Sequence, residues 1–172
     1  MKKTLKDGEP LIDGLLRMAY RHAENVLVKS PVGTSLTPVF ATFKDGAIEL
    51  FATPWSSDQE KRIAQMLVRA RLKLDNCDAY SFVSEAWMLS VDKSEYPDAE
   101  EYDGIRPSQS ERRVEVVCVA AVAKTETGLD KKFQTWAIER NAKGQIIGLS
   151  PKPSPADVDS VSGTMLSLMD DL

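Results

Sequence analysis

The most chemically pointed feature of this sequence is a carboxylate in the middle of an apolar β pattern. Glu85 stands between Val83 and Trp87 in the segment Tyr80–Val91, where both alternating sets of side chains are mostly apolar. A buried carboxylate without a partner is costly, so Glu85 must be paired, hydrogen-bonded, protonated or open to a pocket. Arg112 and Arg113 lead into the next apolar segment, Val114–Ala123, and are the nearest cations if the two segments pair. A contact between Glu85 and one of these arginines is therefore expected. Glu115 lies on the same side as Arg113, Val117 and Val119, and an ion pair with Arg112 or Arg113, or exposure at a sheet end, would satisfy it too. Such a cluster can be a structural ion pair. It can also be a pocket, in which a carboxylate of raised pKa serves as acid or base and an arginine grips an anionic substrate bidentately.

Other catalytic chemistries lack their residues. His22 is the one histidine, and it sits on the flank of a helical apolar stripe, where a ring packed at the boundary with a wet tip is the simplest role. Cys77 and Cys118 are far apart in sequence, and with His22 they contain no close-spaced ligand pair for zinc. Cys118 lies amid Val116, Val117, Val119 and Ala120, which suits a buried, inert thiol. The chain has no G-x-x-x-x-G-K-[ST], no G-x-G-x-x-G and no G-x-S-x-G. No cofactor is expected: neither zinc, nucleotide nor flavin. No catalytic motif is recognisable.

Composition narrows the class further. The 172 residues are one domain's worth, with 42% hydrophobic and 28% charged residues. Lys plus Arg number 22 against 26 Asp plus Glu, a formal charge of −4, which argues against a general nucleic-acid binder. Arg62, Arg69 and Lys73 share a helix face, and with that acidic total they read as a solvated surface, with single-stranded nucleic-acid binding across the nearby sheet face as a third alternative. Trp55, Trp87 and Trp136 form no stacking array by spacing. No run is long enough to span a membrane, and the first residues lack the apolar core of a signal peptide, so a cytoplasmic protein with two reduced cysteines is expected.

The elements that must position these residues follow from periodicity. A helix is predicted from about Pro10 to Val28, with Ile12, Leu15, Leu16, Ala19, Ala23, Val26 and Leu27 as its buried stripe. Val39–Lys44 and Ala47–Ala52 flank Asp45-Gly46, the signature of a type I′ hairpin, which pairs Lys44 with Ala47. The hairpin face with Val39, Ala41, Phe43, Ile48, Leu50 and Ala52 should meet the core. The other, with Phe40, Thr42, Lys44, Ala47, Glu49 and Phe51, is mixed.

Ser57 and Glu60 match a capping box opening a second helix, which ends at Asp75-Asn76 and should bury Ile63, Met66, Leu67, Ala70 and Leu74. Tyr80–Val91 and Val114–Ala123 are long strands covered on both faces. Lys132–Arg140 and Gln145–Ser150 form a second hairpin with Gly144 in the left-handed position of its loop. Strands follow strands, so residues 1–150 are expected to be a single α+β domain: a mainly antiparallel sheet of about six strands with two packed helices. Pro151, Pro153 and Pro155 make residues 151–172 a linker and a C-terminal helix with Val158, Val161, Met165 and Met169 on one side, which should dock on the domain or on a second subunit.

Two segments together, Phe82-Val83-Ser84-Glu85-Ala86-Trp87-Met88 and Arg106-Pro107-Ser108 followed by Arg112-Arg113-Val114-Glu115-Val116-Val117, resemble a group of small bacterial and phage-associated proteins of unknown function. The resemblance covers about residues 80–124, departs at Gln109-Ser110-Glu111, and implies no activity. It directs attention to Glu85, Trp87, Arg106, Ser108, Arg112 and Arg113 as the candidate ligand- or partner-binding set. The expected function is a cytosolic binding or interaction module, possessing a protein partner or self-associating, without membrane or nucleic acid. The alternative is a small carboxylate enzyme with Glu85 as acid/base. An open pocket holding Glu85, Trp87 and an arginine would favour the enzyme, and a close Glu85–arginine pair without one would favour the module.

Overall fold

A computed structural model describes residues 8–89, 110–152 and 165–170. The chain runs α1 (Leu11–Lys29), β1 (Val39–Lys44), β2 (Ala47–Ala52), α2 (Asp58–Leu74), β3 (Ala79–Met88), β4 (Val114–Thr125), β5 (Gly128–Arg140) and β6 (Ile146–Pro151). The six strands form one sheet in the order β2-β1-β3-β4-β5-β6, antiparallel at every step. The architecture is α+β, as the run of strands implies. No helix of the described residues is long and apolar enough to cross a membrane.

The first hairpin has the register set by its turn. Lys44 pairs with Ala47 and Val39 with Ala52, and Asp45 and Gly46 both take positive φ, 49° and 76°. A type I′ turn needs this at both central positions, and its twist matches that of the strands. The second hairpin has Gly144 at φ 76°, with a register shift at Glu139/Arg140. β5 begins earlier than its apolar alternation indicates, because a two-residue turn at Glu126-Thr127 joins β4 and β5 with Thr125 opposite Gly128. The charged stretch Asp130-Lys131-Lys132 is thus strand; Lys131 pairs with Asp170 at 2.7 Å and Lys132 with Asp13 at 2.6 Å.

Alternation along the strands divides the core in two. On one face Ala79, Val83, Val117, Val119, Ala121 and Trp136 pack against α1, which buries Ile12, Leu15, Leu16, Ala19, Ala23 and Leu27 as its stripe requires. On the other, Phe40, Tyr80, Phe82, Ala120 and Val122 pack against Val68 and Leu72 of α2 and against Leu166, Leu168 and Met169. Phe40 is fully buried there, so both faces of the first hairpin are covered near β1, and Leu50 of the nominal core face is left exposed at the sheet edge.

The stripe of α2 is a correction. Its buried residues are Ala64, Val68 and Leu72, while Ile63, Met66, Leu67, Ala70 and Leu74 face outward. The helix carries two apolar stripes, and the narrower one meets the sheet. Its start is capped by Ser57, whose hydroxyl accepts from Glu60 N at 3.2 Å. The Glu60 carboxylate reaches Ser56 rather than completing the box on Ser57, receiving its N–H at 2.5 Å and its hydroxyl at 2.7 Å.

The tail docks on this domain, through turns rather than a regular helix over Met165–Asp170. The predicted stripe positions Val158 and Val161 lie outside the described residues. Tyr80 donates its hydroxyl hydrogen to Met165 O at 2.6 Å. Arg69 reaches across to Ser167 O at 3.2 Å and Asp170 O at 2.8 Å, so this member of the supposed solvated face of α2 clamps the tail instead.

Candidate functional site

The sequence-predicted residues gather where β3 ends and β4 begins, on the α1 side of the sheet. Arg106 and Ser108 lie outside the described residues. Glu85 pairs with Val117 and Trp87 with Glu115 in the β3–β4 register. Glu85 is half-buried, but its carboxylate accepts from the backbone N–H of Leu36 rather than taking the expected contact with Arg112 or Arg113. The segment entering β1 crosses this end of the sheet and brings the amide in. Glu115 is held by Arg140 of β5, not by Arg112 or Arg113, through contacts from Nε at 3.0 Å and Nη2 at 2.8 Å. Arg113 lies over the Trp87 ring, 4.6 Å from its centroid, and Trp87 is 44% exposed. The Arg112 backbone N–H donates to Ser110 Oγ at 3.2 Å.

The electrostatics of this end are those of two neighbouring carboxylates in unequal surroundings. Burial pushes the Glu85 carboxyl above its usual range, the Leu36 N–H pulls it back, Glu115 pushes it up and Arg140 lowers it. Cys118, half-buried rather than fully so, has its thiol raised to about 11 by burial, which keeps it protonated and unreactive at neutral pH. His22 is also at the boundary, beside a cavity of about 20 Å³ lined by Met18, Ala41, Leu50 and Ser81. The Ser81 hydroxyl is buried and finds no hydrogen-bond partner among the described residues. Trp55 stacks on Phe82 at 5.9 Å and Trp136 tilts against Tyr20 at 4.9 Å, so two of the three tryptophans serve the two cores.

A well-formed concavity lies elsewhere among the described residues and includes none of these predicted residues. It is a groove of about 610 Å³ between α2 and the outer strand β2, floored by Phe51, Ala64 and Val68 and walled by Ile63 and Leu67. Beside it the second stripe of α2 stands in solvent: Ile63 is 49% exposed, Met66 71%, Leu67 66% and Leu74 84%. Glu60 and Arg71 form its polar rim. Arg71 pairs with Glu49 of β2 at 2.6 Å and also with Asp75. The signal was present in the sequence as a second apolar stripe at positions 64, 68 and 72, which frees 63, 67, 70 and 74 from the core.

This groove is chemically suited to holding an apolar surface and offers little to a reacting group. Among the described residues no three His, Cys, Asp or Glu side chains converge to hold a metal ion. Comparison with protein-family models, with curated proteins and with solved structures finds no match to this chain.

Proposed function

We propose that the protein is a non-enzymatic interaction module of the cytoplasm whose contact surface is the groove between α2 and β2. One observation carries this reading: four large apolar side chains, Ile63, Met66, Leu67 and Leu74, stand exposed along one helix beside a concavity with an apolar floor. Monomeric proteins rarely leave more than a few hundred Å² of contiguous apolar surface in water, and larger patches mark interaction sites. A helix laid into an apolar groove through residues at i, i+4 and i+7 is a recurring mode of recognition. A photoreactive amino acid at position 66 tests it in cells. A discrete protein adduct from position 66, with none from Lys143 in the far hairpin loop, is the expected result. The absence of any adduct from position 66 would overturn the reading.

A second reading draws on the Glu85 end. There a half-buried carboxyl, raised by burial, stands near a second carboxylate that Arg140 holds, and a carboxyl of raised pKa can serve as an acid. Trp87, Arg112 and Arg113 would receive an anionic ligand, while Arg106 and Ser108 of the expected set lie outside the described residues. Small-molecule protection confined to Trp87 fluorescence, with position 66 silent, would favour it.

A further inference from the structure

We infer that the partner in this groove is a second copy of the same chain, joined by two-fold pairing of β2 with β2 and of α2 with α2. This rests on the reading of the groove as a contact surface and names its occupant.

The first observation is the outer edge of β2. Lys44 and Ala47 flank a two-residue turn and so form its hydrogen-bonded pair. Ala47, Glu49 and Phe51 therefore direct their backbone groups toward β1, and Thr53 N continues the series to Pro38 O at 2.8 Å. Ile48, Leu50 and Ala52 direct theirs outward. Edge strands are normally blunted by lysine, proline, a bulge or a cover. β2 reads Ala-Ile-Glu-Leu-Phe-Ala, with one charge, no proline and no register shift in its pairing to β1. An antiparallel copy centred on Leu50 would pair Leu50 with Leu50 and Ile48 with Ala52, satisfying all three outward residues.

The second observation is that the same rotation covers both exposed apolar features. Leu50, 52% exposed, points to the α1 side of the sheet, and the outward stripe of α2 lies on the other side. A two-fold axis beside Leu50, between the two β2 strands and perpendicular to the sheet, sets the two Leu50 side chains together on one side. On the other it lays α2 antiparallel to its copy. Ile63, Leu67, Ala70 and Leu74 are spaced 4, 3 and 4 residues apart, the seam of a paired helix. Antiparallel alignment also brings the acidic first turn, Asp58 and Glu60, toward the basic last turn, Arg71 and Lys73, of the other copy.

The area is adequate. Ile63, Met66, Leu67 and Leu74 together expose roughly 500 Å² per copy, of which the seam residues are the larger part, in the range of the largest patch on a monomer. Two such stripes come to ~1,000 Å², and the two strand edges with their Leu50 side chains bring the total to about the ~1,200 Å² lower bound of stable interfaces.

Sedimentation of the full chain tests this. The expected mass is twice 19.0 kDa. Leu50→Lys, which sets two cations on the axis, and Leu67→Glu, on a different element, should each return the mass to that of one chain with circular dichroism unchanged. Leu50→Cys should oxidise to a covalent dimer, because hydrogen-bonded antiparallel pairs stand about 5.5 Å apart at Cα, within disulfide reach. A wild-type chain that sediments as a monomer at high micromolar concentration overturns the inference, as does a dimer that survives both substitutions. If that monomer still yields a heterologous adduct from position 66, the groove remains a contact surface and only the second copy is excluded.

Discussion

Replacing Met169 with alanine tests whether the tail is part of the core. Met169 is 2% exposed in a cluster with Phe40, Tyr80 and Val122 from the sheet and with Val68 and Leu72 of α2. Truncating a fully buried methionine costs about 2–5 kcal/mol in transfer and cavity terms. In a chain of this size each kcal/mol moves the melting point by about 2–4 °C, so a fall of roughly 4–20 °C is expected. Urea unfolding should show a lower midpoint at unchanged slope. Tyr80→Phe supplies the second leg of a cycle. It removes the hydroxyl that donates to Met165 O, a bond worth about 0.5–1.5 kcal/mol. If Met169→Ala releases the tail as a unit, that bond is already lost, and Tyr80→Phe should cost less in its background than alone. A Met169→Ala change within about 0.5 kcal/mol, the range of an ordinary surface substitution, would show that Met165–Asp170 is only a tether.

Two further outcomes follow from the polar groups of the sheet. Glu85 has a folded pKa above its unfolded value, so the folded state binds more protons in the window between them, and stability is fully present below the ordinary value of 4.5 and falls as pH rises through the raised one. Glu85→Gln, which keeps an acceptor for Leu36 N–H, should flatten that fall in urea titrations; an unchanged pH profile would contradict it. Ser81→Ala should leave stability unchanged or raise it by up to about 1 kcal/mol, since the hydroxyl is buried without a partner among the described residues. A loss above about 1.5 kcal/mol in the same assay would mean that the cavity beside His22 holds something the hydroxyl needs.

What could be read from residues alone was local. Asp45-Gly46 set the hairpin register because a two-residue turn leaves one pairing open to the flanking strands. The α1 stripe was legible because only one face of that helix is apolar enough to bury. α2 was not, since Ala64, Val68 and Leu72 compete with Ile63, Leu67, Ala70 and Leu74, and periodicity alone cannot choose between two stripes on one helix. The choice is made by tertiary packing: Ala64, Val68 and Leu72 meet Phe40, Tyr80 and Phe82, beside which Leu166, Leu168 and Met169 also pack. The Glu85 contact failed for a different reason. Its partner, Leu36, lies 49 residues away in a turn-rich segment with no pattern to mark it, and a backbone amide carries no signature in side-chain identity.

That displacement of α2's larger stripe connects the core to the surface. Tyr80 and Phe82 come from β3 and Phe40 from β1, so the aromatic mass on this face sits near the middle of the sheet. Met165–Asp170 covers it, held by Tyr80, Arg69 and Lys131. α2 presents Ala64, Val68 and Leu72 to this face, and its broad stripe lies outward on the side of the edge strand, where Arg71 forms an exposed ion pair with Glu49. The tail and α2 share one cluster, and the tail is expected to hold α2 in its orientation, so that releasing it frees the aromatic face for α2's larger side chains. Met169→Ala and Leu67→Glu should therefore couple. Within a single chain, at a concentration too low for two copies to pair, Leu67→Glu is a surface change; if a loosened tail lets Leu67 turn onto the aromatic face, the same substitution should become costly. Additive effects of the pair on stability would show that α2 holds its orientation without the tail.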